Sequence, residues 1–306
     1  MTGAWRKRGL LIAPRADHAW AAVHTMLPVP SPLAGADGTH RIYLTGRGGD
    51  GRGAIGWCDV DLALGQAHTL AAAPVLRAGE LGAFDDSGVS SSAVVEHGGR
   101  LYLYYTGWTK GVTVPFYVFL GLAVSDDAGL TFHRHSRAPI LERSNVDPFL
   151  TGHPSVIVEN GTWRMWYVSC SSWRLVDGAP RHYYHVRYAE SPDGVAWRRT
   201  GHVCIDYADE AEYAIARPWV MRDGGGYRMW FSHRGGRYRI GYAESADGIT
   251  WRRDDAAAGI VAGSGDWDAV MVEYPCVFDV RGRRFVLYNG DGYGATGIGL
   301  AEWEAT

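Results

Sequence analysis

Five short segments of the 306-residue chain place polar or ionisable side chains directly before an apolar, strand-like run. They are Val23-His-Thr-Met26, Phe84-Asp-Asp-Ser-Gly-Val-Ser-Ser-Ser92, Asp147-Pro-Phe-Leu-Thr-Gly-His-Pro-Ser155, Glu212-Tyr-Ala-Ile-Ala-Arg-Pro218 and Val272-Glu-Tyr-Pro-Cys276. Brought into one confined pocket, Asp85 with Asp86, Asp147, and Glu212 with Glu273 would push one another's pKa values apart. One carboxyl could then stay protonated as an acid while another served as a base. Arg217 would grip an anionic group bidentately or depress a neighbouring carboxylate. The expected catalytic groups are Asp85, Asp86 and Glu273. The expected ligand contacts are His24, Ser91, Asp147, His153, Glu212, Arg217 and Tyr274. Any one of these reads equally well as a solvated loop residue or a satisfied inter-blade hydrogen bond; the set, recurring before five strands, favours a ligand site.

What would position them is a repeat. Tyr227-Arg-Met-Trp-Phe-Ser232, Arg239-Ile-Gly-Tyr-Ala-Glu-Ser245 and Asp247-Gly-Ile-Thr-Trp251 read as strand, strand, turn and strand. Trp163-Arg-Met-Trp-Tyr-Val168, Val186-Arg-Tyr-Ala-Glu-Ser191 and Asp193-Gly-Val-Ala-Trp197 repeat the unit, and weaker copies surround both. Between the equivalent positions Asp59, Val124, Glu190, Glu244 and Glu302 the spacings are 65, 66, 54 and 58. That is the length of a four-stranded blade with its loops, and no long helical period interrupts it. An immunoglobulin-like array would repeat at a longer interval. The pattern predicts an all-β, five-bladed β-propeller in one domain, residues 1–306. Its blades run from about 24 to 76, 90 to 141, 153 to 205 and 217 to 260, with the last from 276 to 302. That last repeat supplies only three strands, so Trp5–Ile12 is expected to close it as the outer edge. In a propeller the inner strands start beside one axis, which is why the five segments converge.

Composition narrows the partners. The 13 Trp and 17 Tyr suit strands packing aromatic faces between blades, and 41 Gly suit many tight turns. A net charge of −3 without a basic block gives no support for nucleic-acid binding. The apolar run Leu10-Leu-Ile12 is too short for a signal peptide, and no stretch reaches membrane-span length. Cys58, Cys170, Cys204 and Cys276 are scattered, so buried thiols in a reducing cytoplasm are expected, with no metal site and no cofactor.

Ser125-Asp-Asp-Ala-Gly-Leu-Thr-Phe132 resembles the Asp-box of sialidases, a hairpin device in which Asp accepts backbone N–H bonds. The turns at Asp193 and Asp247 are shorter variants. The whole chain resembles the five-bladed propeller superfamily of glycoside hydrolase families 32, 43, 62, 68, 117 and 130. The copies of Tyr-Ala-Glu-Ser-x-Asp-Gly-x-x-Trp, with Gly152-His-Pro-Ser155, Ala216-Arg-Pro218 and Glu273-Tyr-Pro275, look closest to members found with polysaccharide-synthesis functions. They are also similar to the propeller module preceding the transferase domain of plant glucosamine inositolphosphorylceramide transferases. The resemblance implies a glycosidase-like enzyme acting on a small-molecule sugar or glycoconjugate in the axial pocket; the residues themselves suggest Trp108 and Trp173 as ring-stacking faces and Trp219 in the core. The chain departs from that pattern in two ways: families 32 and 43 begin the first inner strand with Asp where His24 stands here, and no Trp-x-Asn-Asp-Pro signature occurs. Phosphorolysis with Arg217 and His153 holding phosphate, a non-catalytic glycan-binding module, and a lyase or isomerase using His24 or His153 remain as alternatives.

Alanine at Asp127, Asp193 or Asp247 is expected to lower the melting temperature while leaving ligand binding by the folded fraction intact. Loss of binding at unchanged stability would move that aspartate into the site.

Overall fold

A computed structural model describes residues 3–35, 38–265 and 267–305; residues 1–2, 36–37, 266 and 306 lie outside the described set. The alternating aromatic and β-branched runs form strands throughout. After β1 (Gly3–Ile12) come β2 (His24–Ala34), β3 (Thr39–Arg47), β4 (Gly53–Asp61) and β5 (Gln66–Leu70), each of the last three antiparallel to the one before. The same meander recurs as β6 (Gly88–His97), β7 (Arg100–Lys110), β8 (Phe116–Ser125) and β9 (His133–Arg134). It recurs again as β10 (Thr151–Glu159), β11 (Thr162–Val176), β12 (Ala179–Ser191) and β13 (Arg198–Ile205). The next group is β14 (Ala214–Asp223), β15 (Gly226–Arg234), β16 (Tyr238–Ser245) and β17 (Arg252–Arg253). The final group is β18 (Glu273–Val280), β19 (Arg283–Asn289) and β20 (Ile298–Ala305), and β1 pairs with β20 as its fourth strand.

The first strands of the groups (β2, β6, β10, β14 and β18) touch in sequence, and β18 touches β2. The molecule is therefore nearly all β and propeller-like. Apolar side chains fill the seams between groups rather than a common centre. Val29, Tyr43 and Ile55 meet Val89, Leu103 and Tyr105 at one seam. Leu120 and Leu122 meet Trp163 and Met165 at the next, then Trp166 and Val186 meet Met229 and Phe231. Trp230 and Ile240 meet Val277 and Val286, and the ring closes where Leu287 and Leu300 meet Ile42, Leu44 and the β1 residues Leu11 and Ile12.

The turn boxes brace these seams. Asp193 Oδ1 accepts the N–H groups of Val195 and Ala196, both at 2.9 Å, and Asp247 Oδ1 those of Ile249 and Thr250, both at 2.8 Å. Asp127 accepts from Thr131 N–H at 2.9 Å and its hydroxyl at 2.6 Å. The carbonyl of each box's glycine then accepts from the preceding group: Tyr43 Oη to Gly129, Tyr104 Oη to Gly194 and Trp166 Nε1 to Gly248, at 3.2, 2.7 and 2.7 Å.

One boundary differs from expectation. The later inner strands start two to four residues before their Pro residues, so Pro154, Pro218 and Pro275 lie inside strands. Each sits where the register with the second strand slips. Such a bulge on an edge strand needs no N–H at that place, so proline is tolerated.

Removing residues 1–13 takes Leu11 and Ile12 out of a closed seam, both under one-tenth exposed. Those two side chains alone should cost about 3–6 kcal/mol. A clear fall in melting temperature is expected, and an unchanged one would contradict closure by β1.

Candidate functional site

The inner strands carry a kink at one shared register. Leu27, His153, Arg217 and Tyr274 have φ of 54°, 44°, 53° and 56°, and each is followed by proline. In β6 the slip falls between Ser91 and Ala93 instead. Positive φ at a non-glycine residue costs on the order of 1–2 kcal/mol, so something must hold it. For three of the four, the holder is a side chain from the second strand of the neighbouring group. Thr106 Oγ1 accepts His153 N–H at 2.7 Å, Ser232 Oγ accepts Tyr274 N–H at 2.7 Å, and Asn289 Oδ1 accepts Leu27 N–H at 2.9 Å. Thr45 Oγ1 takes Ser91 N–H at 2.8 Å in the same way.

Above these kinks lies a cavity of about 520 Å³. His24, His153 and Tyr274 line it, with Thr45, Ser90 and Thr106 as hydroxyl groups and Trp108, Phe116 and Tyr293 as aromatic surface. Arg47 and Lys110 are its cations, and none of its described lining residues is Asp or Glu. Burial holds the His24 imidazole below its usual value, and the Arg47 charge adds to the effect. Burial also takes His153 to about 3, helped by Arg217, so both rings are neutral at physiological pH. The Nδ1 atoms of both are buried without a hydrogen-bond partner among the described residues.

The other expected site residues are placed differently. Ser91 is buried and donates to Leu27 O at 2.6 Å, while its neighbour Ser90 faces the cavity. Arg217 is fully buried, donates to Pro28 O at 3.0 Å and to Ser92 O, and so ties three groups together across the axis. Burial lowers its guanidinium to about 10. Glu273 is also fully buried and does not line the cavity, although the next residue does. Neither of its oxygens makes a well-formed hydrogen bond among the described residues. Burial therefore raises its carboxyl well above 4.5, against weaker opposition from Arg234 and the Tyr274 hydroxyl.

Three more carboxylates belong to a repeated strut. Asp85 accepts Tyr105 Oη at 3.2 Å and Arg134 Nε at 2.9 Å. Asp147 accepts Tyr167 Oη at 3.0 Å and pairs with Arg187 and Arg199. Asp268 accepts Tyr288 Oη at 3.1 Å and pairs with Lys7 at 2.6 Å. In each case acid and tyrosine stand 20 residues apart. Glu212 is the variant: it holds His233 and Arg253, both at 2.7 Å, and despite burial these contacts keep it at about 2. Asp86 accepts Gly82 N–H at 3.0 Å and Ser87 Oγ at 2.9 Å, and lines a neighbouring cavity of about 280 Å³ that shares Trp108 and Lys110 with the first. Trp173 packs on Phe116 and His182, and Trp219 donates to Val277 O in the core.

Sequence reasoning missed Arg47, Lys110, Thr45, Thr106, Phe116 and Tyr293. A signal was present. Arg47 stands two residues after Thr45, as Trp108 stands two after Thr106 and Arg234 two after Ser232. Aligning the second strands, rather than the first, would have exposed this upper rim.

The buried Glu273 gives a pH test. The folded chain keeps its proton where the unfolded chain loses it, so its burial costs stability as pH rises from about 4.5 toward the raised value. Glu273→Gln should therefore melt higher than the parent protein near pH 8, with the gap closing below about pH 4.5. An equal or lower melting temperature at the higher pH would contradict the assignment.

No family model matches the chain. The Mycobacterium tuberculosis (strain H37Rv) protein named Uncharacterized protein Rv1502 is 46% identical over 302 residues, 98% of this chain and 99% of its own length. Three solved structures with similar folds are all below 25% identity. A complex of BT0996 with RGII has a TM-score of 0.78 at 18% identity, covering 98% of this chain and 92% of its counterpart. A thermostable family-43 glycoside hydrolase gives 0.66 at 14%, covering 96% and 91%. A mutant of the Bombyx mori family-32 β-fructofuranosidase BmSUC1, in complex with sucrose, gives 0.66 at 16%, covering 96% of this chain and 61% of the other. The chain belongs to the family of the M. tuberculosis protein Rv1502, and its fold is that of the propeller glycoside hydrolases.

Proposed function

We propose that this chain is a single five-bladed propeller domain, closed by β1 in the fifth blade, that takes a sugar or glycoconjugate in its axial cavity by glycosidase-like recognition. The observation that carries the proposal is the cavity wall. Trp108, Phe116, Tyr274 and Tyr293 offer flat apolar faces beside the hydroxyls of Thr45, Ser90 and Thr106. Apolar ring faces with a few directed hydrogen-bonding groups suit a pyranose or furanose. The fold agrees, since structures sharing it include one named for RGII and one holding sucrose. Four buried, unpaired cysteines suit the reducing cytoplasm expected from the sequence.

For bond cleavage, Glu273 is the proposed proton donor: burial keeps it protonated, and because it does not itself line the cavity beside its neighbour Tyr274, its carboxyl has to be uncovered as substrate enters. Hydrolysis would also need a carboxylate to activate water. Asp85, the first choice from sequence, is committed to Arg134, and Asp86 stands in the neighbouring cavity. This favours a second reading, phosphorolysis, in which phosphate replaces the activated water and Arg47 and Lys110 supply its counter-charge.

A panel of p-nitrophenyl glycosides, assayed with and without inorganic phosphate, separates these readings. Release in phosphate-free buffer means hydrolysis, and release only with phosphate means phosphorolysis. Glu273→Gln should then cut turnover by at least about 100-fold while binding persists. Binding without release in the parent protein leaves a recognition module. Neither binding nor release across the panel would overturn the proposal.

A further inference from the structure

We infer that the sugar taken by the axial cavity carries an anionic substituent, phosphoryl or carboxylate, seated against Arg47 and Lys110. The inference rests on the sugar reading above and goes further by fixing the class of substrate. Arg47 ends β3 and Lys110 ends β7, so two neighbouring groups each contribute one cation to the same cavity.

Several partly buried guanidiniums of this molecule meet a carboxylate, and Arg234 and Arg239 meet carbonyl or hydroxyl oxygens instead. Arg134 has Asp85, Arg199 has Asp147, Arg253 has Glu212 and Arg41 has Asp59. Arg47 is half-buried, its Nε is buried with no acceptor, and it takes part in no ion pair among the described residues. Lys110 is exposed at the mouth and is likewise unpaired among the described residues. A cation withdrawn from water without a counter-charge is costly, and an incoming anion removes that cost.

The surroundings reinforce the sign. No described residue lining the cavity is a carboxylate, Asp50 and Asp86 lining only the adjoining cavity that shares Lys110, and the two wall histidines are neutral and still able to hydrogen-bond. Arg217 does not line the cavity but acts on the wall residue His153, and among the described residues it donates only to backbone carbonyls, adding a third positive charge without an ion-pair partner. Concave walls concentrate such a field on whatever enters. His24 is the cross-strand partner of Arg47 in β2 and β3, so its ring stands ready to share the same anion. A neutral sugar would leave all of this charge unanswered.

Isothermal titration of the intact protein with glucose, glucose 6-phosphate, glucuronate and inorganic phosphate tests the inference. The charged sugars should bind at least about tenfold tighter than glucose, with affinity falling as salt is raised. Arg47→Ala should remove that preference, by roughly 10- to 100-fold. Lys110→Ala should reduce it in the same direction, and its exposed side chain makes misfolding an inadequate explanation. The ranking of phosphate ester against uronate identifies which anion is preferred. Equal binding of all three sugars, unchanged in both variants, overturns the inference and leaves the sugar reading standing. Inorganic phosphate binding as tightly as the sugar phosphate assigns the anion to a separate co-substrate and also overturns it. Phosphate binding without any sugar binding sinks the sugar reading and the inference built on it, leaving a bare anion site.

Discussion

A hydrogen bond from a kinked inner strand to its neighbour's second strand recurs around the axis, and the cavity depends on it. Thr45, Thr106, Ser232 and Asn289 each accept a backbone N–H that the bulge has removed from the regular ladder. Without that acceptor the bulge would bury an unsatisfied donor at a strained φ, and the inner strand would straighten. With it, the residue at the kink turns toward the axis. His153 and Tyr274 reach the cavity from this register, and Leu27 supplies part of its floor. Asn289 does more than the hydroxyls, because its Nδ2 also donates to Thr25 O at 3.0 Å and so binds the last group to the first on both sides of the bulge.

Charge is distributed by the same repetition. In four groups an acidic residue ahead of the inner strand is buried and answered by a base on the outermost strand: Arg134, Arg199, Arg253 or Lys7. Half-desolvated ion pairs of this kind hold a geometry better than they add stability, since desolvation offsets much of the attraction. Their consequence for function is subtraction. These four carboxylates are held in the walls, and among the described residues Arg47, Lys110, Arg217 and the protonated acid Glu273 remain at or near the axis. The cavity wall is thus cationic and aromatic, with no carboxylate among its described lining residues.

By itself the sequence determined the architecture of this protein. Alternating runs, Asp-Gly turns and the spacing from Asp59 to Glu302 encode a strand repeat through local chemistry: side-chain period, turn conformation and edge pairing. The pairing of β1 with β20 followed because a three-stranded last group would leave an open edge. The turn aspartates were legible for the same reason, since the backbone donors they bind lie within a few residues. Three wall residues, His24, His153 and Tyr274, were also within reach, because they stand at or near the start of an inner strand.

Only the tertiary structure decided which polar groups face the axis. Asp85, Asp147 and Glu212 look like site residues in a linear alignment, yet their bases stand 49, 52 and 41 residues away, and those bases turn them into struts. Arg217 and Arg47 show the converse. Both are arginines near the end or start of a strand, but one is swallowed by the carbonyls of two distant groups and the other lines the cavity with no ion pair among the described residues. A side chain's direction at a bulge depends on the acceptor offered by the neighbouring group, and its charge state on how much water the closed ring excludes. Neither quantity exists until the groups have packed around the axis.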